Sequence, residues 1–443
     1  MAAKTLFDGG VTSKLWLDRR EFYPDPQKVA EMWSDMNPFK TVMMKLGTKK
    51  VDDPVYKLFE HESNFVKREF TTSTALTIAA NGTESAALTI ANIVGLPSSV
   101  STAWNGLVFE IWDSTKSTKR GVVFISAYNS TSTVLVKAMK ASAITTVSGD
   151  YFIATGDRVR GEGSVAPEAE NDELKVVWNS VAFLADTCEV TGALYKADKL
   201  KGYSNEFARQ REEMFKRYSS GLEGALLKQV NTLGTNFDSA GTFSEASLRT
   251  ITDSASVSGS VRTTYGYIPI LEDYGTTYSG TGALNADTNT FNIASADFGY
   301  SDLIAYSEII FDKREKDQAF AFSGRGAITK IAQKVTDQKD KFNWVGKMQL
   351  GDTKVNKLGF NMTEFETPHG ILYIVPTRSL RNQYNNYQVI PDLDNIGIAE
   401  FSPDEYKNDI KKDNGYDGVK DSIESMKGLW MTLLKKHHMI VMK

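Results

Sequence analysis

The sequence predicts an α+β protein whose mixed body is interrupted by an all-β segment. Three observations predict it. Residues 72 to about 165 are dominated by Thr, Ser, Ala and Gly and carry β-branched or aromatic runs. Residues 204–233 read as one long amphipathic helix, and the last third alternates helical and strand patterns. With 443 residues, 41% of them hydrophobic, the chain has material for substantial buried cores.

The first seventy or so residues read as an arm rather than a domain. Asp25-Pro26 offers an N-cap and a first-turn proline, and Val29, Met32, Trp33 and Met36 follow on one helical face that ends at Asn37-Pro38. A second short helix places Phe39, Val42, Met43 and Leu46 on one side, with Gly47 to stop it. Both need an apolar surface from elsewhere, so Trp33, Met36, Phe39 and Met43 are candidate contacts to a neighbouring subunit.

The runs Leu107–Trp112, Val122–Ile125 and Val134–Val136, separated by polar turns, predict a small barrel or sandwich inserted in the chain. Asn179 to Leu194 reads as extended. Ser204 is the expected N-cap of the long helix, whose apolar face is Phe207, Met214, Phe215, Tyr218, Leu222, Ala225 and Leu226 and whose end is Gly234. Arg209, Arg211, Glu212, Glu213, Lys216, Arg217 and Glu223 mark its other face, which is either solvated or a set of inter-subunit ion pairs.

Residues 235–295 carry weak local signals, with Tyr265–Ile270 their only strongly apolar piece. Beyond them the pattern predicts helices at about Ser301–Lys313 and along Ile328, Ile331, Ala332 and Val335, the latter opened by the glycines of Ser323–Lys330, and strands at Ala319–Phe322, Gly370–Val375 and Leu429–Leu434.

Composition narrows the function. Lys and Arg number 51 against 55 Asp and Glu, a formal charge of -4, so the basic stripe of a phosphate-gripping protein is not advertised. Cys188 is the single cysteine, which excludes an intramolecular disulfide and cysteine-based zinc spacings. The N-terminus lacks a charged and then apolar leader pattern, and no apolar run of about 18 residues occurs, which predicts a soluble protein made in the cytosol. The Asn-x-Ser/Thr matches at Asn81, Asn129 and Asn361 then read as chance.

Catalytic patterns are missing. His61-Glu62 lacks the second histidine of a metalloprotease helix, His369 reads as a turn, and His437-His438 falls where a polar turn is expected between two apolar runs. Ser323–Lys330 has glycines at the wrong spacing for a phosphate loop, and no GxSxG occurs. Asp52-Asp53 and Asp392/Asp394 are weak acid pairs. Trp104 and Trp112 could stack on a sugar but more simply fill the β core. The expectation is no catalytic residue, no metal and no cofactor.

The order of parts then carries a resemblance. Asn37-Pro-Phe39 and Asp53–Glu60, the passage Val190-Thr-Gly-Ala-Leu194 to Asn205–Arg211 and Gly221–Leu227, and the C-terminal His369–Arg378 and Val389–Asp394 look like successive pieces of one family. The chain resembles the major capsid proteins of tailed bacteriophages, in the group with a β domain inserted in the extended loop.

The resemblance implies a Hong Kong 97-like fold: an N-terminal arm over residues 1–55 and an extended loop over 56–190 with the insert at about 72–165. A peripheral region would span 191–300 with its spine helix at about 204–233, and a mainly axial domain 301–443. It further implies self-assembly as hexamers and pentamers into an icosahedral or prolate shell around double-stranded DNA, inside a bacterial cytoplasm, without sequence-specific DNA binding. The expected partners are other copies, a portal, and scaffolding or decoration proteins, and no membrane; covalent crosslinking is not expected. The alternatives are a tail or decoration protein, a carbohydrate-binding adhesive protein, and an enzyme without a recognisable motif.

Overall fold

The computed structural model describes residues 37–61, 68–80, 82–94, 96, 102–156, 158–160, 162, 174–196, 206–230, 262–280, 284–285, 287–294, 299–341, 354–355, 361–410 and 417–443. The chain divides into two compact units, His61–Leu174 and the remainder. The expected helix with Val29, Met32, Trp33 and Met36, the Ser204 cap and all of 235–261 lie outside the described residues.

Within His61–Leu174 six strands, Glu69–Thr72, Leu88–Val94, Val108–Trp112, Lys119–Ser130, Thr133–Ala138 and Tyr151–Ala154, close into an antiparallel barrel. The insert is a barrel and not a sandwich because the pairing runs full circle, Tyr151–Ala154 bonding to both Glu69–Thr72 and Val108–Trp112, and the inward residues share one interior filled by side chains. Phe70 stacks on Phe152 at 4.7 Å and meets Phe109 edge-on at 5.0 Å, with Trp104 beside it at 5.6 Å. Gly121 lies under the small two-stranded antiparallel sheet Leu76–Ile78/Ile144–Thr146, and a Cβ there would sit 2.4 Å from the Ile144 side chain. Gly121→Ala is therefore expected to cost about 1–3 kcal/mol by overpacking. An unchanged barrel melting temperature would show that Ile144 can yield.

Among the described residues the larger unit holds two sheets and a two-stranded ribbon, Val55–Glu60 paired with Lys175–Ser180. One sheet has four strands in the order Thr48–Lys50, Ile396–Lys407, Gly418–Met431, Ala182–Thr191, parallel only at its first pair. Against it lies helix α2, Glu206–Lys228, about 35 Å long at 1.5 Å per residue. Helix α1, Pro38–Leu46, ends at Gly47, whose φ of 101° is the left-handed conformation that the glycine was expected to supply.

The second sheet has eight strands with Thr288–Ile293, His438–Met442, Tyr387–Ile390, Gln318–Ser323 and Gly370–Pro376 at its centre. Both faces are covered, so its strands are apolar on both sides rather than alternating. Phe322, Val389, Met439 and Val441 point to the core shared with α1 and with α3, Tyr267–Tyr274. Ala321, Ile390, Ile440 and Met442 point to α4, Tyr300–Asp312, and α5, Arg325–Lys341.

Two sequence expectations change, and one weakly signalled stretch gains a helix. Helix α2 stops at Lys228 instead of Gly234, because Gly266 crosses its end and donates to Gln229 O at 2.7 Å. Tyr265–Ile270, the apolar piece of a stretch with weak local signals, leads into a helix: α3 forms with Pro269 in its first turn, where the missing N–H has no helical partner to lose. The strand expected to reach Leu434 ends at Met431, and Leu433 turns left-handed at φ 54°.

Candidate functional site

The strongest sequence candidates were the apolar side of α1 and the charged side of α2. Phe39 and Met43 are fully buried within the chain itself, Phe39 edge-on to Phe322 at 5.1 Å and to Tyr267 at 6.5 Å. This corrects their assignment to a neighbouring subunit: α3 and the eight-stranded sheet, not legible as neighbours from the sequence, supply the surface that α1 lacks locally. Trp33 and Met36 lie outside the described residues. On α1 the exposed apolar side chains are Met44 and Leu46.

The charges of α2 find partners inside the subunit. Arg209 pairs with Glu213 at 2.9 Å and Lys216 with Glu212 at 2.8 Å, one helical turn apart. Arg211 reaches the sheet, giving Asp421 two hydrogen bonds at 2.7 and 3.1 Å, and Arg217 meets Asp186 at 3.1 Å. Asp421 is 1% exposed and also accepts from Tyr406 and from Asp409 N, so Arg211 neutralises a carboxylate that water cannot reach. Arg211→Met is accordingly expected to destabilise by about 1–3 kcal/mol. Arg217→Ala, in a half-exposed pair, should cost under about 1 kcal/mol. Equal losses in urea titrations would contradict this ranking.

The apolar face of α2 is as expected at Phe207, Met214, Tyr218, Leu222, Ala225 and Leu226, all buried, but Phe215 is 40% exposed and leans on Tyr406. Glu223 corrects the charged face: it has no exposed surface, and it accepts hydrogen bonds from Lys40 N at 3.1 Å and from the Ser379 hydroxyl. Lys427, missed by sequence reasoning, is 2% exposed and ion-paired to Asp404 at 2.7 Å. Its alternation within Gly418–Met431 was the one available signal, since a lysine at a core-facing strand position needs a carboxylate.

The histidines also depart from expectation. His437 and His438 are wholly buried instead of forming a polar turn. Asp392 N donates to His437 Nδ1 at 3.2 Å, so the ring proton sits on Nε2, which faces Thr432 O at 3.1 Å. Burial first, and then the neighbouring Arg314, pushes His437 down to about 4, and burial pushes His438 well below the usual imidazole range.

His61 and His369 are exposed. Asp53 binds its own turn through Val55 N, Asp392 is nearly buried, and Asp394 pairs with Lys316 at 2.7 Å. Trp104 is fully buried, which removes it from any sugar platform, and Trp112 donates to Glu110 at 3.2 Å. Among the described residues no group of three or more His, Cys, Asp or Glu could hold a metal ion, and no helix is long and apolar enough to cross a membrane.

Several exposed apolar side chains of the larger unit lie on extended structure: Phe59, 69% exposed, faces Val176 across the ribbon, and Phe183 follows on the strand Ala182–Thr191. These residues suit contact with another macromolecule better than chemistry on a small one.

A family model described as SU10 major capsid protein matches residues 28–442. No curated protein is matched. Among solved structures, the chain is similar to the capsid of the native GTA particle, at 8% identity over 98% of this chain and 99% of that one, with a TM-score of 0.46. It is also similar to Microbacterium phage Oxtober96, at 10% identity over 96% and 98% with a TM-score of 0.42. The capsid of Myoviridae phage XM1 is similar at 9% identity over 98% and 100%, with a TM-score of 0.41.

Proposed function

Because the chain belongs to the SU10 major capsid protein family, we propose that it is the structural subunit of a tailed-phage shell, working through assembly and not through catalysis. The family match over residues 28–442 carries this reading. The subunits would gather as hexamers and pentamers and close around double-stranded DNA, placing the protein in the virion capsid after assembly in the bacterial cytoplasm. Other copies are its first partners, with a portal and scaffolding or decoration proteins beyond them.

In this reading the fold is of the Hong Kong 97 type. Residues 1–55 are the arm, the ribbon and His61–Leu174 the extended loop with its insert, α2 the spine, and the eight-stranded sheet the core of the axial part. Repeating contacts between unlike surfaces build such a shell. The exposed Phe59 on the ribbon fits a neighbour, since a two-stranded ribbon is marginal in water alone. Of the α2 charges, Glu212 and Arg217 keep about half their surface and can take second partners across a subunit boundary. Trp33 and Met36 keep the same proposed role, while Phe39 and Met43 do not.

The near-balanced charge suits a wall that contains DNA without gripping it. Negative-stain microscopy with sedimentation of the protein expressed alone tests the reading. Shells, tubes or hexamer-sized rings are expected, and a compact monomer at all concentrations would overturn self-assembly.

A further inference from the structure

Helix α1 starts without a cap of its own. Asn37 occupies the capping position but makes no capping hydrogen bond; its amide instead donates to Ser219 Oγ on α2 at 3.0 Å. The first-turn N–H of Lys40 turns to a carboxylate far away in sequence, donating to Glu223 at 3.1 Å. Glu223 also accepts from the Ser379 hydroxyl, so one side chain joins α1, α2 and the segment after the strand Gly370–Pro376.

A carboxylate at a helix N-terminus is favoured by the backbone dipoles and supplies the missing acceptor. This one has no exposed surface and no salt bridge among the described residues. The cations around it are otherwise engaged. Lys40 of α1 donates to Ser219 at 2.9 Å, and Lys228 of α2 donates to Ser379 O at 2.7 Å, with Arg381 near Lys228. A buried carboxylate without an ion pair is costly, and undocking α1 would let water reach it.

We propose that Glu223 is the long-range cap of α1 and the point at which docking of α1 on the body of the subunit is coupled to proton uptake. Burial raises its carboxyl above the ordinary glutamate value, more than its hydrogen bonds and Lys228 lower it. The docked form therefore holds a proton more tightly than the undocked form, and docking strengthens as pH falls toward that ordinary value. It loosens as pH rises through the raised value. Helix α1 is thus held by an apolar stripe, Phe39, Val42 and Met43, and tuned by one buried acid.

The test is hydrogen exchange of the full chain, read on the peptide 37–46 between pH 8 and pH 5 and corrected for intrinsic rates, with barrel peptides from His61–Leu174 as the folding control. The wild type should gain protection in 37–46 as pH falls. Glu223→Gln keeps the acceptor and removes the titration, so its corrected profile should be flat. Glu223→Ala removes the cap and should lower protection roughly tenfold at every pH. A flat or reversed wild-type profile, or a Glu223→Gln profile with the wild-type slope, overturns the proposal. Should Glu223→Ala fail to fold, the wild-type and Glu223→Gln profiles still decide it.

Discussion

Asn179→Ala is expected to destabilise the larger unit by about 3–6 kcal/mol, a large share of the roughly 5–15 kcal/mol that holds a typical domain folded. Asn179 is 2% exposed and closes the ribbon onto two other chain segments. Its amide nitrogen donates to Tyr265 O at 3.1 Å and Leu429 O at 2.9 Å, and its oxygen accepts from Tyr265 N at 3.0 Å and Ser180 N at 2.8 Å. Alanine leaves the buried N–H and C=O of Tyr265 without these partners, and Leu429 O keeps only Tyr56. Each unmet group costs about 1–3 kcal/mol. Urea unfolding followed by circular dichroism measures the loss. A change under about 1 kcal/mol would mean that water fills the gap and the network is not needed.

Acid should unfold the same unit by way of His437 and His438. With His437 near 4 in the folded state and its ordinary value near 6.5, the unfolded chain binds the proton more readily between them. The stabilising effect is therefore complete above about pH 6.5 and lost as pH falls through about 4, on the order of 3 kcal/mol for His437 alone. His438 shifts in the same direction, driven by burial and by Arg314. The geometry gives the reason: a proton on His437 Nδ1 would face the N–H of Asp392, and among the described residues His438 has Thr288 O for Nδ1 and no acceptor at Nε2. Denaturation midpoints should hold nearly level from pH 7.5 to about 6.5 and then fall through pH 6, 5 and 4.5, and His437→Asn should flatten part of the slope. A midpoint constant from pH 7.5 to 4.5 would refute the assignment of neutral, tightly packed imidazoles.

Local patterns were legible where one element's own residues state its form. The run Leu107–Trp112 became the strand Val108–Trp112, and Gly370–Val375 became Gly370–Pro376, because β-branched and aromatic residues suit a pleated, buried surface wherever it lies. Gly47 ended α1 through its backbone alone. The glycines at Ser323–Lys330 read correctly as a helix opening for a reason the sequence could not state: a Cβ on Gly324 would lie 2.3 Å from Asn385 O, so another segment passes there.

Site residues were less legible, since a side chain's partner is set by contacts hundreds of positions away. Phe39 looked homeless because α3 and Phe322 are invisible from its own window, and His437-His438 looked polar because the pattern cannot show that Asp392 and Thr288 arrive to meet them. Glu223 shares its helix with solvated charges, and only the arrival of α1 separates it from them.

By itself, then, the sequence determined the α+β class, the all-β interruption and the amphipathic faces of α2, all of which follow from composition and period. Only the tertiary structure decided that the β segment closes as a barrel, where α2 stops, and which acids, lysines and histidines are buried. The physical reason is desolvation: a charge or an apolar side chain has the same local pattern whether water or a distant strand covers it, and its energy is set by which of the two does.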